Sequence, residues 1–459
     1  MSFPAEAQKE STMSAVNAEQ SALQQIDSRP LTGHQKSLIG LAIVGNISEF
    51  FDMFLIGFVV SLLTKPWKLT GTETGVILAC SGLGTVVGAI MWGRLADKIG
   101  RRRTFFWCVL LFVVFTIVSA FTPDRGWIML AVLRVGVGIG VGGLNITSIP
   151  YVQEFVPARQ RGLLSGLASV FIPFGLFLGS LAQKAFHENW RLLIALGALP
   201  VFLLIWIRAV PESPRFLQMK GRTAQARASL AWALEIPVDQ LGSLPELTEK
   251  TSASYSTLFR KHLKALVIVT LGSFCFILGS FTVQSWGQTL LQTGYAKSAS
   301  TVGTLFMFVS LVDLLGRLGS AWLADHIGRR CTMFLYGMVG AVGSLVVAFS
   351  AHLQASWVIF FIGILMTMGF GDGAFGILNA FGGEQFPTEA RSTGLGLGYG
   401  IGAIAKVVGP YFVGALIGNS KLSAEVVFLP FIVFAVLLFA GGIIYLFARE
   451  TKGASLEDI

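Results

Sequence analysis

Twelve apolar runs divide this chain, at about 37–63, 73–95, 104–121, 126–150, 163–185, 191–209, 264–291, 299–323, 332–350, 356–382, 392–418 and 425–447. No other feature constrains the fold as strongly. A bilayer is crossed by roughly 20 apolar residues in a helix, and each run is of about that length or more. Inside hydrocarbon the backbone has no water to bond, so such runs must be helical. Composition agrees, with 53% of the 459 side chains hydrophobic and 13% charged, against about 25% charged in soluble domains. That balance excludes a disordered chain, a secreted disulfide scaffold and a soluble nucleic-acid binder. The net charge of +9 does not restore the last of these, because the positive residues sit between apolar runs rather than on one face of a soluble fold. Cys80, Cys108, Cys275 and Cys331 lie in or beside apolar runs without metal-ligand spacing, and read as small buried packing residues.

Residues 1–36 are polar and lack the apolar core and cleavage site of a signal peptide, so a flexible cytoplasmic tail is expected there. With the N-terminus inside, 24 Lys and Arg fall on the inner side and 7 on the outer, leaving Arg134, Arg317 and Lys406 within spans. Positive residues favour the cytoplasmic side, so both termini are expected in the cytoplasm of a plasma- or inner-membrane protein. The longest non-apolar stretch separates six spans from six. The expected organisation is a tail 1–36, a bundle 37–209, a linker 210–263, a second bundle 264–448 and a tail 449–459. In the linker, Ser213-Pro214 followed by an Ala/Leu/Arg run to Ile236 predicts one short amphipathic helix along the membrane surface.

The two halves repeat each other. Leu95-Ala96-Asp97-Lys98-Ile99-Gly100-Arg101-Arg102 recurs as Leu323-Ala324-Asp325-His326-Ile327-Gly328-Arg329-Arg330 at an offset of 228. Glu154-Phe155-Val156-Pro157-Ala158-Arg159-Gln160-Arg161 recurs as Glu384-Gln385-Phe386-Pro387-Thr388-Glu389-Ala390-Arg391 at an offset of 230. Internal symmetry of this kind builds two gates around one site in many transporters. The segment Gly93 to Arg102 resembles the cytoplasmic loop signature of the major facilitator superfamily, and Arg134-Val135-Gly136-Val137-Gly138 resembles its fourth-helix motif. Glu154, Pro157 and Arg161-Gly162, with Pro211-Glu212-Ser213-Pro214-Arg215, are similar to the sugar-porter branch. The first span, Gly45 to Asp52 with Gly57, is instead similar to the metabolite:proton and aromatic-acid:proton symporter branches. The resemblance covers nearly the whole chain and implies an all-α membrane fold of twelve helices in two pseudo-symmetric bundles. Ala321 and Ser392 replace the glycines of the first copies, which implies a less tightly packed second gate.

An aspartate at the end of one helix and arginines at the start of the next can bond across a closed gate. Asp97 and Asp325 with Arg101 and Arg329, and Glu154 and Glu384 with Arg161 and Arg391, are therefore expected to form cytoplasmic latches; orientation by positive charge alone is the other reading. The glycines Gly136, Gly138, Gly140, Gly142 and Gly143 follow no strand, so they read as a helix-packing face rather than a phosphate loop. Pro173 and Pro410, at pseudo-equivalent depths, predict kinks.

Charges in mid-span cost about 2.5 to 3.5 kcal/mol on insertion scales and are functional candidates by default. Glu49 and Asp52 are three residues apart, on one face of the first helix. Two carboxylates so close cannot both ionise cheaply, so one of them with Arg134 suits a proton carrier. The resemblance implies the same, since an acid of the first helix facing an arginine of the fourth recurs in proton symporters of this superfamily; a permanent salt bridge is the alternative. Lys406 and Asp372 either neutralise each other, or Lys406 faces the cavity as the cation for a substrate carboxylate. Asp313 and Arg317 read as a structural pair near the cytoplasmic side. Gln284, Trp286 and Gln288, in the polar run of the seventh span, are substrate-binding candidates or helix-to-helix bonds, and Asn145, Phe174 and Asn379 are weaker candidates.

A secondary active transporter follows, moving a small polar metabolite with protons by alternating access. An organic carboxylate, aromatic or aliphatic, is favoured as substrate, with a sugar or polyol as the alternative. A membrane enzyme would need a catalytic cluster that the scattered histidines do not form, and a nutrient sensor would add a signalling tail. No cofactor, metal or nucleic acid is called for; the expected partners are the substrate, protons and lipid, and the expected state is a monomer.

Overall fold

The computed structural model describes residues 21–157, 171–187, 189–244, 255–387, 390–418 and 428–452. Among these, no strand is present and the apolar runs are helices: α1 (Gly33–Leu63), α2 (Gly71–Ile99), α3 (Arg101–Ala120), α4 (Trp127–Gln153), α5 (Ile172–Ala185), α6 (Trp190–Ala209), α7 (Leu263–Gly294), α8 (Ala299–Ile327), α9 (Arg329–His352), α10 (Trp357–Glu384), α11 (Thr393–Ile417) and α12 (Phe428–Leu446). Eleven of them are long and apolar enough to cross a membrane; α5 is the described part of the run 163–185. Cys108 and Cys275 are buried as expected, whereas Cys331 is exposed.

The ends of the helices follow local chemistry. Thr32 and Gln35 form a reciprocal capping box at the start of α1, and Thr70 and Glu73 do so at α2, each satisfying N–H groups a helix end leaves free. Both loop motifs turn on a glycine of positive φ, Gly100 at 99° and Gly328 at 94°. No other residue type tolerates that geometry readily, which explains why both copies keep it.

Two predictions for the ends of the bundles need correction. Within the expected tail, residues 22–28 form a helix whose Ala22 and Ile26 pack against Leu230, Leu234 and Leu241 of the linker. The single linker helix is two, Pro214–Met219 and Thr223–Leu234, broken at Gly221 with φ of 69°.

Glycines set the distance between helices. α2 and α4 cross so closely that a Cβ on Gly138 would stand 2.9 Å from the Gly84 Cα. The two bundles meet through similar contacts at the end away from the loop motifs. There a Cβ on Gly75 of α2 would stand 2.9 Å from the Gly414 Cα of α11, and one on Gly303 of α8 would stand 2.8 Å from the Ser180 carbonyl of α5. Phe58 of α1 packs edge-on against Phe306 of α8, with ring centroids 5.7 Å apart. At the motif end the ion pairs stay within single bundles, Arg101 with Glu154 in one and Arg329 with Glu384 in the other. These glycine and Phe58–Phe306 contacts join the bundles at the end away from the motifs.

Overpacking a close crossing costs about 1 to 3 kcal/mol. Gly138→Ala is expected to lower the thermal unfolding midpoint in detergent, while the same change at Gly396, which has open space around it, leaves it unchanged.

Candidate functional site

Between the bundles lies a cavity of about 490 Å³ of empty space, part of it open to solvent. Its walls come from both halves and mix aromatic with polar side chains: Phe50, Met53 and Phe54 of α1 line it together with Phe281 of α7 and Phe375 of α10. Ser280, Gln284, Asn379, Tyr399, Lys406 and the Arg317–Asp372 pair supply the polar groups. The Lys406 ammonium stands 6.0 Å from the Phe50 ring centroid and 5.8 Å from that of Phe281. No carboxylate forms an ion pair with it among the described residues. Aromatic faces stabilise a cation but leave its hydrogen-bonding capacity free.

Behind the α1 wall, Asp52 and Arg134 make a two-pronged pair. Arg134 Nη2 donates to Asp52 Oδ2 at 2.5 Å and Nη1 donates to Oδ1 at 3.1 Å, while Nε donates to Ser81 Oγ at 3.0 Å. Glu49, Asp52 and Arg134 are all at most 2% exposed, so two acids and one base share one buried region. In the second bundle Arg317 Nε donates to Asp313 Oδ1 at 3.1 Å, and Nη2 donates to Asp372 Oδ2. Asp372 is therefore held by Arg317 and not by Lys406, and Arg317 belongs to the cavity wall rather than to a pair near the motif end.

The remaining sequence-based candidates separate by position. Gln284 and Asn379 line the cavity. Trp286 does not: it is 1% exposed and its indole N–H donates to the Pro410 carbonyl at 3.2 Å. Gln288 is buried in the seam, where its Oε1 stands 2.9 Å from the place a Cβ on Gly57 would take. Phe174 is exposed, stacked on Phe177 at 6.0 Å, and is not part of the cavity lining. The side chain of Asn145 lies outside the described residues.

At the motif end the pairing differs from expectation. Arg101 Nε donates to Glu154 at 2.7 Å, and Arg329 Nε lies 2.6 Å from Glu384. Arg161 lies outside the described residues, and Arg391 makes no ion pair among them. Asp97 is exposed and also forms none, and Asp325, near the end of α8, is 3.9 Å from Arg329 at the start of α9 with a 76% exposed side chain. The stronger bonds tie each loop arginine to the glutamate ending the fourth helix of its own bundle. Two further carboxylates close the network. Glu212 accepts from the Arg102 backbone N–H at 3.0 Å, and Ser213 Oγ donates to Glu154. Glu450 accepts from the backbone N–H of Arg329 at 3.0 Å and of Arg330 at 3.1 Å, and Thr451 Oγ1 donates to Glu384 at 2.5 Å. Sequence reasoning missed Glu450. Its signal is the dipeptide Glu450-Thr451, which repeats Glu212-Ser213.

Two bundles around one polar cavity, in an all-helical chain of this composition, define a membrane transporter of the major facilitator fold. The chain belongs to the family described as "Sugar (and other) transporter", which it matches over residues 37–459. It is similar to the "Niacin transporter NiaP" of Acinetobacter baylyi, with 27% identity over 95% of this chain and 98% of that one. It is also similar to the "Putative niacin/nicotinamide transporter NiaP" of Bacillus subtilis, with 27% identity over 92% and 98%. Among solved structures, that of a "D-xylose-proton symporter" has a TM-score of 0.72 at 20% identity, covering 92% of this chain and all of that one. The inward-open xylose transporter XylE of E. coli gives 0.71 at 20% identity, covering 92% and 98%.

Although partial burial pushes the Glu450 carboxyl up, the backbone N–H groups of Arg329, Arg330, Lys452 and Thr451 outweigh it and hold the carboxyl below the usual glutamate range. A carboxyl depressed in the folded state contributes stability above its unfolded value, and that contribution disappears as pH falls through the folded value. Glu450→Gln is expected to lower the unfolding midpoint at neutral pH. The gap to the parent protein should close as pH is taken below the ordinary glutamate range, and a gap independent of pH would contradict the assignment.

Proposed function

We propose that this transporter moves a small organic carboxylate together with protons, by alternating access across the cell membrane, with both termini in the cytoplasm. The observation that carries the substrate class is Lys406: a cation without a carboxylate partner among the described residues, between two aromatic rings, on the wall of the midplane cavity. A carboxylate would take the ammonium in a charge-assisted bond. A flat ring attached to it would lie against the surrounding Phe faces, with Gln284 and Asn379 available for a ring nitrogen or hydroxyl. Nicotinate has this chemistry, and the two niacin-transporter relatives support an aromatic acid.

Proton coupling is assigned to Asp52, Glu49 and Arg134. While Arg134 holds the Asp52 carboxylate the pair is neutral; a proton on the acid removes the attraction and releases the helices to move. The glutamate and arginine pairs at the motif end, Arg101–Glu154 and Arg329–Glu384, act as clasps within each bundle, and the positive charge of that end favours the cytoplasmic side for it. The close bundle contacts at the opposite end support reading this as an inward-facing state. The amides in the cavity keep a sugar or polyol as a second reading, which the similarity to a xylose symporter supports.

Uptake of labelled nicotinate into proteoliposomes with an alkaline interior tests both parts. Accumulation should require the pH gradient. Lys406→Ala should reduce it by about 10-fold or more, the equivalent of roughly 1.4 kcal/mol, and Asp52→Asn should abolish accumulation. Uptake of labelled xylose but not of nicotinate, with Lys406→Ala unaffected, would reverse the substrate assignment.

A further inference from the structure

The charges in contact around Arg317 do not balance. Arg317 of α8 holds two aspartates, Asp313 from the preceding turn and Asp372 from the π-helical turn Thr367–Asp372 of α10. Glycines permit this approach: a Cβ on Gly373 of α10 would stand 2.9 Å from the Gly316 Cα of α8. The side chains of Asp313, Arg317 and Asp372 are 1%, 3% and 10% exposed. Asp313 Oδ2 accepts no hydrogen bond, and both carboxyls are gathered on the one Arg317 guanidinium. Two carboxylates held this close repel each other while both are ionised. One cation against two acids also leaves a negative charge uncompensated in a region of low dielectric, and protonation of one acid removes that cost.

The other groups that face this cluster do not supply a second positive charge in contact with it. Lys406 and Tyr399 share the cavity wall, and Lys406 makes no ion pair with either aspartate. Tyr336 of α9 approaches from behind, its hydroxyl donating to the Gly316 carbonyl at 2.9 Å. The Arg317 guanidinium lies 5.6 Å from the Phe375 ring, which adds no proton acceptor.

We propose that Asp313 and Asp372 share one proton, forming a second protonation centre in the C-terminal bundle with Asp372 as its outlet to the cavity. On release the Asp372 O–H bond breaks, the proton passes to a cavity water, and the electron pair stays on a carboxylate that Arg317 already holds. Reprotonation reverses the step. The protein then carries one acid–arginine centre in each bundle, on α1 and α4 and on α8 and α10. The part this second centre plays in transport rests on the proton-coupled reading above; its protonation does not.

Infrared spectra of the full-length protein in lipid at neutral pH test the proposal, using aspartate isotope-labelled in the side-chain carboxyl. Asp52→Asn, with Asp458, which lies outside the described residues, also replaced by Asn, should retain a protonated-carboxyl C=O band that moves with the label. The remaining described aspartates, Asp27, Asp97, Asp124, Asp239 and Asp325, are exposed and add no buried carboxyl to the spectrum. This background therefore decides the matter even if changes to the cluster prevent folding. Where they fold, Asp313→Asn and Asp372→Asn added to it should each remove the band. No labelled band in the Asp52→Asn background, or a band that survives both further changes, would overturn the proposal. Failure of the parent protein, with Asp52 in place, to accumulate nicotinate under a pH gradient while the band is intact would instead count against the transport reading alone.

Discussion

Hydrocarbon offers neither water for a backbone group nor a counter-ion for a charge, and the structure depends on that constraint. The first half of it makes every span a helix. The second makes each buried charge find a partner inside the protein. Arg134 meets this demand with Asp52 and Ser81, and Arg317 meets it with Asp313 and Asp372. Among the described residues, Lys406 meets it with two aromatic faces and no carboxylate. The proposed substrate contact falls on the residue whose demand is left incomplete there.

The same constraint shapes how the halves move against each other. Apolar surfaces gain little by associating in lipid, so close packing through glycine takes the place of the hydrophobic effect. The contacts of Gly75 with Gly414 and of Gly303 with Ser180 join the bundles at one end without ionic bonds. At the other end the ions bind within each half, so Arg101–Glu154 and Arg329–Glu384 stiffen each bundle. An ion pair spanning the bundles at that end would have to break before the cavity could open there; these need not.

Much of the fold was legible in the residues. The twelve runs, the central break and the repeat at offsets of 228 and 230 depend on hydrophobicity and chain order alone, and these survive in any correct fold. The expected pairing of Asp97 with Arg101 is replaced for a physical reason: a helix end offers several bases to one acid within a few residues. Arg101 chose Glu154 over Asp97 because Glu154, 13% exposed, is sheltered from water and Asp97 is not. Trp286 and Gln288 shared the polar run of α7 with Gln284, yet the three turn to different neighbours, which sequence spacing does not report.

By itself the sequence determined that the chain is a twelve-span membrane transporter, and which few charges its spans must accommodate. Only the tertiary structure decided how those charges divide: Asp372 to Arg317, Asp52 to Arg134, and Lys406 to the cavity. The physical reason is that span formation depends on local hydrophobicity, whereas pairing depends on which helix faces meet. Those meetings are set by glycine contacts between residues far apart in the chain, such as Gly316 against Gly373.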